Sequence, residues 1–162
     1  MLDPVSFRRA CSRFATGITI ATVSDANGVP HGFTANSFTS VSVEPPMILL
    51  CIDRRAQVLP KFQSNPHFAI NILSEDQKEL SMRFAARRDD RFQGVSWRPA
   101  ENDGYPLLDG ALAHFLCRTT NTLDAGDHVI FLGEVLAVQH GDGRPLLYYA
   151  SAYRTLDPNG CD

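Results

Sequence analysis

Two long runs of strand-forming residues in the second half of the chain constrain its fold more than any other feature. Residues 111–123 alternate between apolar and polar side chains, and residues 129–138 form a second long apolar run. The turn-forming sequence Asp124-Ala125-Gly126-Asp127 lies between the two runs. A loop this short joins antiparallel neighbours, because parallel strands need a crossover of a dozen or more residues. The two runs therefore predict a long β-hairpin.

Further strand-like runs are spread along the chain and are separated by turn-forming residues. They are residues 17–24, 30–35, 47–52, 68–73 and 146–149. The wholly apolar run 47–52 is typical of a strand buried on both faces. Sequential hairpins argue against a doubly wound parallel sheet. The 162 residues therefore predict a single domain, residues 1–162, folded as a mainly β, antiparallel, closed or nearly closed barrel with a few flanking helices.

Three helices are predicted beside the barrel. Asp3 and Pro4 suit the start of the first helix. Its apolar side chains share one face, and they are Phe7, Ala10, Cys11 and Phe14. Residues 58–62 are a short second candidate. The pattern Ser74-x-x-Gln77 is a capping box, and the helix that follows it should run to about Ala86.

Charge, hydropathy and cysteine pattern exclude several classes of function. The net charge of −3 implies no general attraction to nucleic acid. The start of the chain lacks the basic and apolar segments of a signal sequence, and no apolar run is long enough to span a bilayer. The four cysteines form no C-x-x-C pair, so no zinc or dithiol motif is present. We therefore expect a cytoplasmic protein with no metal, in which Cys51 and Cys117 are reduced core residues.

A stretch rich in short polar side chains lies between two strand-like runs. Six of the eleven residues 32–42 are Thr, Ser or Asn, and Glu44-Pro45-Pro46 closes the stretch. Such residues offer hydrogen bonds without bulk, which suits a phosphate or the edge of a heterocycle. The sequence contains neither G-x-G-x-x-G before a helix nor G-x-x-x-x-G-K-[ST], so any nucleotide is held by another fold. A polar loop of no function is the alternative.

Three further sequence features each allow two interpretations. Arg83, Arg87, Arg88 and Arg91 lie within nine positions and form either a solvated surface or a local anion site. Residues 88–103 around them are polar and predicted to be irregular. His128 follows a turn and is either solvated or directed into a cleft. The tyrosines near the end of the chain either pack in a core or interface, or line a cleft.

Taken in order, these motifs resemble those of a known family. The segment 13–20, Arg-Phe-Ala-Thr-Gly-Ile-Thr-Ile, is similar to the opening of the short-chain flavin reductases, the reductase components of two-component flavin-dependent monooxygenases. Residues 32–46 resemble the flavin-binding signature of that family. Supporting motifs follow in the same order: Phe84-Ala85, Arg91-Phe92, Gly126-Asp127-His128 and Tyr153-Arg154. The resemblance covers about residues 4–156.

The resemblance implies a fold, an activity and partners. The fold would be the FMN-binding split β-barrel, in a homodimer with the flavin near the subunit boundary. The activity would be reduction of FMN or FAD by NADH or NADPH, and the reduced flavin would serve a flavin-dependent monooxygenase. Hydride would pass between bound cofactors, so no catalytic side chain is expected. Two alternatives stay open: a flavin-binding electron-transfer or sensing module without free-flavin turnover, and a non-redox protein of the same fold.

The resemblance also implies which residues bind the cofactors. Those that would line the isoalloxazine and ribityl chain or lie beside them are Thr34, Ala35, Asn36, Ser37, Ser40 and Val41. Those that would flank the flavin or its phosphate are Cys51, Ile52, Asp53, Arg54, Arg55, Ala56, Phe84 and Arg91. His128 would meet the nicotinamide, with Tyr153 in the same cleft. The chain departs from many relatives at 53–55, where they carry small hydroxyl residues, and at 150–152, where glycine is frequent.

Overall fold

Strands dominate the part of the chain that the structure describes. The structure is a computed structural model, and it describes residues 2–100 and 105–157. Its strands are β1 (Thr16–Gly17), β2 (Thr19–Ser24), β3 (Pro30–Ala35), β4 (Thr39–Val43), β5 (Pro46–Asp53), β6 (His67–Ile72), β7 (Trp97–Pro99), β8 (Pro106–Leu108), β9 (Ala113–Ala125), β10 (His128–His140), β11 (Leu147–Tyr149) and β12 (Ala152–Arg154). Its helices are α1 (Pro4–Cys11), α2 (Leu59–Ser64) and α3 (Lys78–Ala85). Within these two ranges, no helix combines the length and the apolar character needed to cross a bilayer.

Seven strands form one antiparallel sheet in the order β3-β2-β6-β9-β10-β5-β4. The predicted hairpin of β9 and β10 lies near its centre, and the two strands pair from His128↔Ala125 to His140↔Ala113. The edge strands β3 and β4 follow one another in the chain, so only residues 36–38 connect the two edges. The sheet must therefore curl until its edges meet. The prediction of a mainly β, antiparallel split barrel with a few helices is confirmed.

The side chain of Ser37 joins the two edges of the sheet. In the part of the chain described, β4 pairs with β5 no further than Thr39↔Leu49, so β4 does not reach the backbone of Cys51. The Ser37 hydroxyl donates to the Cys51 carbonyl (3.1 Å) and accepts a hydrogen bond from the Cys51 amide (3.2 Å). One hydroxyl thus satisfies backbone groups that a neighbouring strand would otherwise satisfy.

A second, three-stranded sheet consists of β1, β11 and β12. The predicted strand 146–149 corresponds to β11, and it continues through a tight turn into β12, which the sequence did not suggest. The turn residues Ala150 and Ser151 have φ of 50° and 62°, the left-handed region that a two-residue hairpin turn requires. The turn therefore forms here without glycine. The Ala150 amide donates to the Ser12 carbonyl (2.9 Å) and ties this turn to the end of α1.

The region predicted to be irregular, residues 88–103, contains one short strand. β7 pairs with β8 in a two-stranded sheet. Residues 101–103 lie outside the described ranges. The capping box is also confirmed, because the Ser74 side chain and the Gln77 side chain each accept from the other residue's backbone. A single 3₁₀ turn, Glu75–Gln77, leads from this box into α3.

Buried aromatic side chains fill the barrel. Phe62 on α2 lies among Phe33, Phe68 and Phe131, with ring centroids 5.7, 5.9 and 6.1 Å away. A second cluster around Phe84 packs beneath α3, and its other fully buried members include Leu73 and Leu108. Burial of this apolar surface is the main force that holds the sheet curled.

One expectation about burial is wrong. β5 is not buried on both faces: Ile48, Leu50 and Ile52 are buried, while the residues between them are half-buried, because the outer face is only partly covered. α1 forms as predicted, with the Asp3 carboxylate accepting from the amides of residues 5 and 6. However, none of its residues is buried, and Phe7 is 56% exposed.

Gly133→Ala should destabilise the protein by about 1–3 kcal/mol in urea unfolding. A β-carbon at Gly133 would lie 2.8 Å from the Phe68 ring and 3.3 Å from the Cys117 side chain, and both of these residues are fully buried. Gly141→Ala is the matched control, because a β-carbon there meets nothing within 4 Å. Equal stabilities of the two variants would contradict tight packing between β10 and the barrel core.

Candidate functional site

A cleft runs beside α3, from the end of β5 to the hairpin of β11 and β12. It consists of two neighbouring cavities of about 200 Å³ and 220 Å³, both bordered by Thr34 and Ala85. The first, the arginine cavity, is lined by Phe33, Thr34, Asp53, Arg55, Ala56, Gln57, Val58, Phe84, Ala85, Arg87 and Arg91. The second, the tyrosine cavity, is lined by Ile18, Thr34, Asn36, Ser81, Ala85, Tyr148 and Tyr153.

The arginine cavity presents positive charge that other side chains do not neutralise. Within residues 2–100 and 105–157, neither Arg87 nor Arg91 forms an ion pair. Arg91 instead donates to the carbonyls of Gly32 (3.1 Å) and Ala86 (3.0 and 2.8 Å). Burial lowers the pKa of its guanidinium, yet arginine stays charged because its ordinary pKa is so high. A charged, geometrically fixed guanidinium is well suited to bind a phosphate.

Asp53 and Arg55 neutralise each other at the rim of the arginine cavity. The Asp53 carboxylate accepts from Arg55 Nε (3.1 Å), Arg55 Nη2 (2.8 Å) and the Arg55 amide (2.8 Å). These hydrogen bonds hold the pKa of Asp53 well below its usual range. The carboxylate therefore stays ionised at neutral pH and turned toward its own cation, which leaves the positive field of Arg87 and Arg91 dominant.

A chain of hydrogen bonds links the two cavities. The Thr34 hydroxyl donates to the Ser81 carbonyl (2.6 Å). The Ser81 hydroxyl and the Tyr153 hydroxyl lie 2.9 Å apart and share a hydrogen bond. Ser81 is fully buried, so its position is fixed by packing. β3, α3 and β12 are thus joined at one point, at the back of the cleft.

Two aromatic rings form one wall of the tyrosine cavity. Tyr148 and Tyr153 face each other across the β11–β12 hairpin, with ring centroids 5.5 Å apart and planes inclined by 74°. Lys78 Nζ lies 5.7 Å from the centroid of the Tyr153 ring, within range of a cation–π interaction. An aromatic wall of this kind can bind a planar ring by its face.

His128 begins β10 beside the cleft but lines neither cavity. It lies directly opposite Asp53 in the pairing of β10 with β5, so the two side chains share one face of the sheet. His128 Nδ1 is 2.7 Å from the Asp127 carboxylate, and this hydrogen bond lowers the pKa of Asp127. His128 is therefore close to the arginine cavity and remains partly exposed.

The structure brings together half of the site residues that the sequence predicted. Those that line the cleft are Thr34, Asn36, Asp53, Arg55, Ala56, Phe84, Arg91 and Tyr153. Those that do not are Ala35, Ser37, Ser40, Val41, Cys51, Ile52, Arg54 and His128. The alternation of a strand explains part of this division, because Thr34 and Asn36 face the cleft while Ala35 between them is buried in the core.

Other predicted residues are placed by different contacts. Ile52 is buried in the barrel core. Ser40 and Val41 lie on the exposed edge strand β4. Arg54 turns away to pair with Asp124 (2.6 Å) and to donate to the Gly126 carbonyl (3.2 Å).

Sequence reasoning missed several residues that line the cleft. They are Ile18, Phe33, Gln57, Val58, Ser81, Ala85, Arg87 and Tyr148. The sequence pattern could have indicated two of them. Arg87 belongs to the basic cluster, and Gln57 directly follows the predicted site residues 53–56. No pattern indicated Ser81, because only the packing of α3 against β3 and β12 brings its hydroxyl to the cleft.

None of the described thiols lines the two cavities. Within residues 2–100 and 105–157, no group of three or more His, Cys, Asp or Glu side chains is arranged to hold a metal ion. Cys11, Cys51 and Cys117 are free thiols. Cys117 is buried, and burial raises its pKa to about 12, whereas Cys51 is only half-buried. The chemistry of the cleft is that of arginines, hydroxyls and aromatic rings.

Comparison with known proteins identifies the family. The profile described as "Flavin reductase like domain" matches residues 11–157, and the chain belongs to this flavin reductase-like family. The resemblance expected from the motifs is therefore confirmed. One similar protein is a "Probable flavin reductase" of Rhizobium meliloti (strain 1021), 44% identical over 155 residues, which are 96% of this chain and 50% of that protein. The chain thus spans about half the length of this relative.

Two further relatives match over most of both chains. The "Flavin-dependent monooxygenase, reductase subunit HsaB" of Mycobacterium tuberculosis (strain ATCC 25618 / H37Rv) is 37% identical, over 97% of this chain and 84% of that one. The solved structure of the Streptomyces globisporus C-1027 NADH:FAD oxidoreductase SgcE6, in complex with NAD and FAD fragments, superposes with a TM-score of 0.92 at 36% identity. That match covers 99% of each chain.

Ser81→Ala and Tyr153→Phe should be energetically coupled. Each removes one partner of the 2.9 Å hydrogen bond, so the double variant should lose about 1 kcal/mol less stability than the two single losses predict. Urea unfolding of the four proteins measures the coupling. Ser81→Ala combined with Tyr148→Phe is the control and should be additive. Additivity in both cycles would show that Ser81 does not hold Tyr153.

Proposed function

We propose that the protein is an NAD(P)H:flavin oxidoreductase, which uses NADH or NADPH to reduce FMN or FAD and supplies the reduced flavin to a partner monooxygenase. The observation that carries this proposal is the cleft, with unpaired guanidinium groups in the arginine cavity and hydroxyl and aromatic side chains in the tyrosine cavity. Membership of the flavin reductase-like family supports it. The names of the HsaB reductase subunit and of the SgcE6 NADH:FAD oxidoreductase agree with it.

The arginine cavity fits the phosphate end of a flavin. An arginine has five N–H donors, and Arg91 uses three of them on the carbonyls of Gly32 and Ala86. Two donors stay available for a ligand. Because the same carbonyls fix the plane of the guanidinium, binding a phosphate costs little side-chain entropy. Arg87 adds a second charge, and Phe84 provides apolar surface at the base of the cavity.

A bound flavin supplies the redox chemistry, since its ring accepts a hydride from a reduced nicotinamide. The side chains of the cleft act by position, because this transfer needs no proton donor or nucleophile from the protein. Thr34 borders both cavities and Asn36 lines the tyrosine cavity, so these two residues orient the ring. The strand ends behind the ring are held in place by Ala35, Ser37, Cys51 and Ile52.

The tyrosine cavity and His128 serve the nicotinamide in this proposal. Tyr148 and Tyr153 offer aromatic surface against which a second planar ring can lie. His128 lies at the other end of the cleft, opposite Asp53 and close to the arginine cavity. Its imidazole is partly exposed and can donate a hydrogen bond to a carboxamide.

Purified protein should oxidise NADH or NADPH when FMN or FAD is added, measured by loss of absorbance at 340 nm. Arg91→Gln should raise the flavin KM about ten-fold or more, because a charged hydrogen bond to phosphate is lost. Arg98→Gln, outside the cleft, is the control for loss of a positive charge. No turnover with any pair of cofactors would overturn the proposal. Flavin that survives gel filtration without turning over free flavin would support an electron-transfer or sensing module instead.

His128→Ala should weaken the use of the nicotinamide more than that of the flavin. We expect the nicotinamide KM to rise about five-fold, as one hydrogen bond is lost, with the flavin dissociation constant nearly unchanged. His140→Ala, at the opposite end of β10, is the matched control. Steady-state kinetics and flavin fluorescence titration provide the two readouts. An unchanged KM and turnover number for the nicotinamide would reject this role.

We also propose that two copies of the chain form a homodimer. Five exposed large apolar side chains lie on the strands β4, β9 and β10. They are Val41 and Val43 on β4, Leu123 on β9, and Leu136 and Val138 on β10. Large exposed apolar surface normally marks an interface. A second copy would cover the side chains on β4. The cytoplasmic location remains a prediction.

Val43→Glu should shift the protein from dimer to monomer in size-exclusion chromatography with light scattering. Val43 is 92% exposed in the single chain, so the new charge leaves the monomer fold intact and acts on the interface. Val29→Glu, in an exposed turn, should leave the dimer unchanged. A monomeric wild-type protein, or a Val43→Glu variant that dimerises equally well, would contradict this assembly.

A further inference from the structure

Arg83 lies outside the cleft but holds the segment that carries Arg91. It belongs to α3, yet it lines neither the arginine cavity nor the tyrosine cavity. Its Nη2 donates to the carbonyls of Asp90 (3.0 Å) and Gln93, which flank Arg91 in the chain. The Gln93 amide also donates to the Asp90 carbonyl (3.1 Å), which closes a turn over residues 90–93. Arg83 therefore binds the backbone of this turn from α3.

The segment around this turn has little backbone support of its own. In the part of the chain that the structure describes, no amide of residues 87–92 donates to a backbone carbonyl. Side chains supply the support instead. Phe92 contacts the rings of Phe84 and Trp97, with centroids 4.9 and 5.8 Å away, while Arg83 binds the carbonyls. The position of the turn thus depends on these two side chains.

Arg83 is placed to act on the backbone and not on a ligand of the arginine cavity. Its Nε is buried, and its Nη2 is engaged by two carbonyls. It lines a different cavity, of about 430 Å³, which shares no lining residue with the arginine cavity. Arg91, by contrast, lines the arginine cavity and is oriented by the carbonyls of Gly32 and Ala86. A shift of the turn would move Arg91 away from these carbonyls.

We propose that Arg83 is a positioning residue for flavin binding, which fixes the turn 90–93 and so keeps the Arg91 guanidinium in place for the flavin phosphate. This inference rests on the proposed function, because it takes Arg91 as the phosphate-binding group. When only a fraction of the protein holds Arg91 in the binding geometry, the apparent dissociation constant rises by the inverse of that fraction. Loss of Arg83 therefore weakens those flavins that carry a phosphate.

Binding of FMN and of riboflavin, which is FMN without its phosphate, tests the inference in the full-length protein. Arg83→Gln should weaken FMN about five-fold and leave riboflavin unchanged, because only the phosphate depends on Arg91. The turnover number at saturating FMN should stay near that of the wild type, because the change affects binding and not hydride transfer. Fluorescence titration and steady-state kinetics supply the two readouts. Arg98→Gln, which removes an exposed positive charge outside the cleft, is the matched control and should bind FMN as the wild type does.

A double-mutant cycle with Arg91→Gln separates positioning from general damage to the fold. Once the Arg91 guanidinium is absent, Arg83→Gln should weaken FMN no further, because no guanidinium is left to position. Arg83→Lys is the milder second variant, because it keeps the charge and loses the planar fork. It should show the same dependence on Arg91.

The outcomes distinguish this inference from the proposed function. Additive losses in the cycle, equal weakening of FMN and riboflavin, or unchanged FMN binding by Arg83→Gln would each overturn the inference. The proposed function would stand in all three cases. Wild-type protein that binds no flavin, or FMN binding that Arg91→Gln leaves unchanged, would instead count against the proposed function and its phosphate site.

Discussion

The structure depends on how the two edges of the seven-stranded sheet meet. Residues 36–38 connect the edge strands β3 and β4, and the Ser37 hydroxyl bonds to both backbone groups of Cys51. This junction fixes the end of β3 against β5. Strand alternation then turns Thr34 and Asn36 outward while Ala35 enters the core. The polar stretch becomes one wall of a cleft because the barrel is closed here by a side chain and not by a strand.

The positive charge of the cleft comes from a few neighbouring arginines and does not follow from the net charge of the whole chain. The chain carries a net charge of −3, yet Arg87 and Arg91 face the cleft without an ion pair within the described residues. The neighbouring cations Arg54, Arg55 and Arg88 are each paired with a carboxylate. Because Arg91 is held by carbonyl oxygens, it keeps its full charge and its orientation. Such a preorganised group binds an anion with little loss of entropy.

Much of the fold was predictable because local sequence and tertiary structure agree. Turn residues separate alternating runs, and the capping box before α3 forms as its residues indicate. The hairpin partner β12 was missed, because Ala150 and Ser151 adopt left-handed backbone conformations that these residue types seldom occupy. The exposure of α1 could not be predicted, because periodicity identifies an apolar face but not what covers it.

Residues of the candidate site were predictable only where they lie in one continuous segment of the sequence. Thr34, Asn36 and the run 53–56 belong to continuous segments that a motif can mark. Ser81 and Tyr148 enter the cleft through packing between distant elements, which no local pattern records. Ser40 and Val41 were expected beside the ligand, but β4 is an edge strand of the sheet and leaves both of them exposed.

The central claim is that one cleft holds the flavin by its phosphate at Arg91 and presents its ring at the tyrosine cavity. A crystal structure of the protein with bound flavin tests it most directly. The account predicts a phosphate within hydrogen-bond distance of the Arg91 guanidinium and an isoalloxazine ring beside Thr34, facing the side of Tyr148 and Tyr153. A flavin bound away from Arg91, or one whose ring lies outside the cleft, would contradict it.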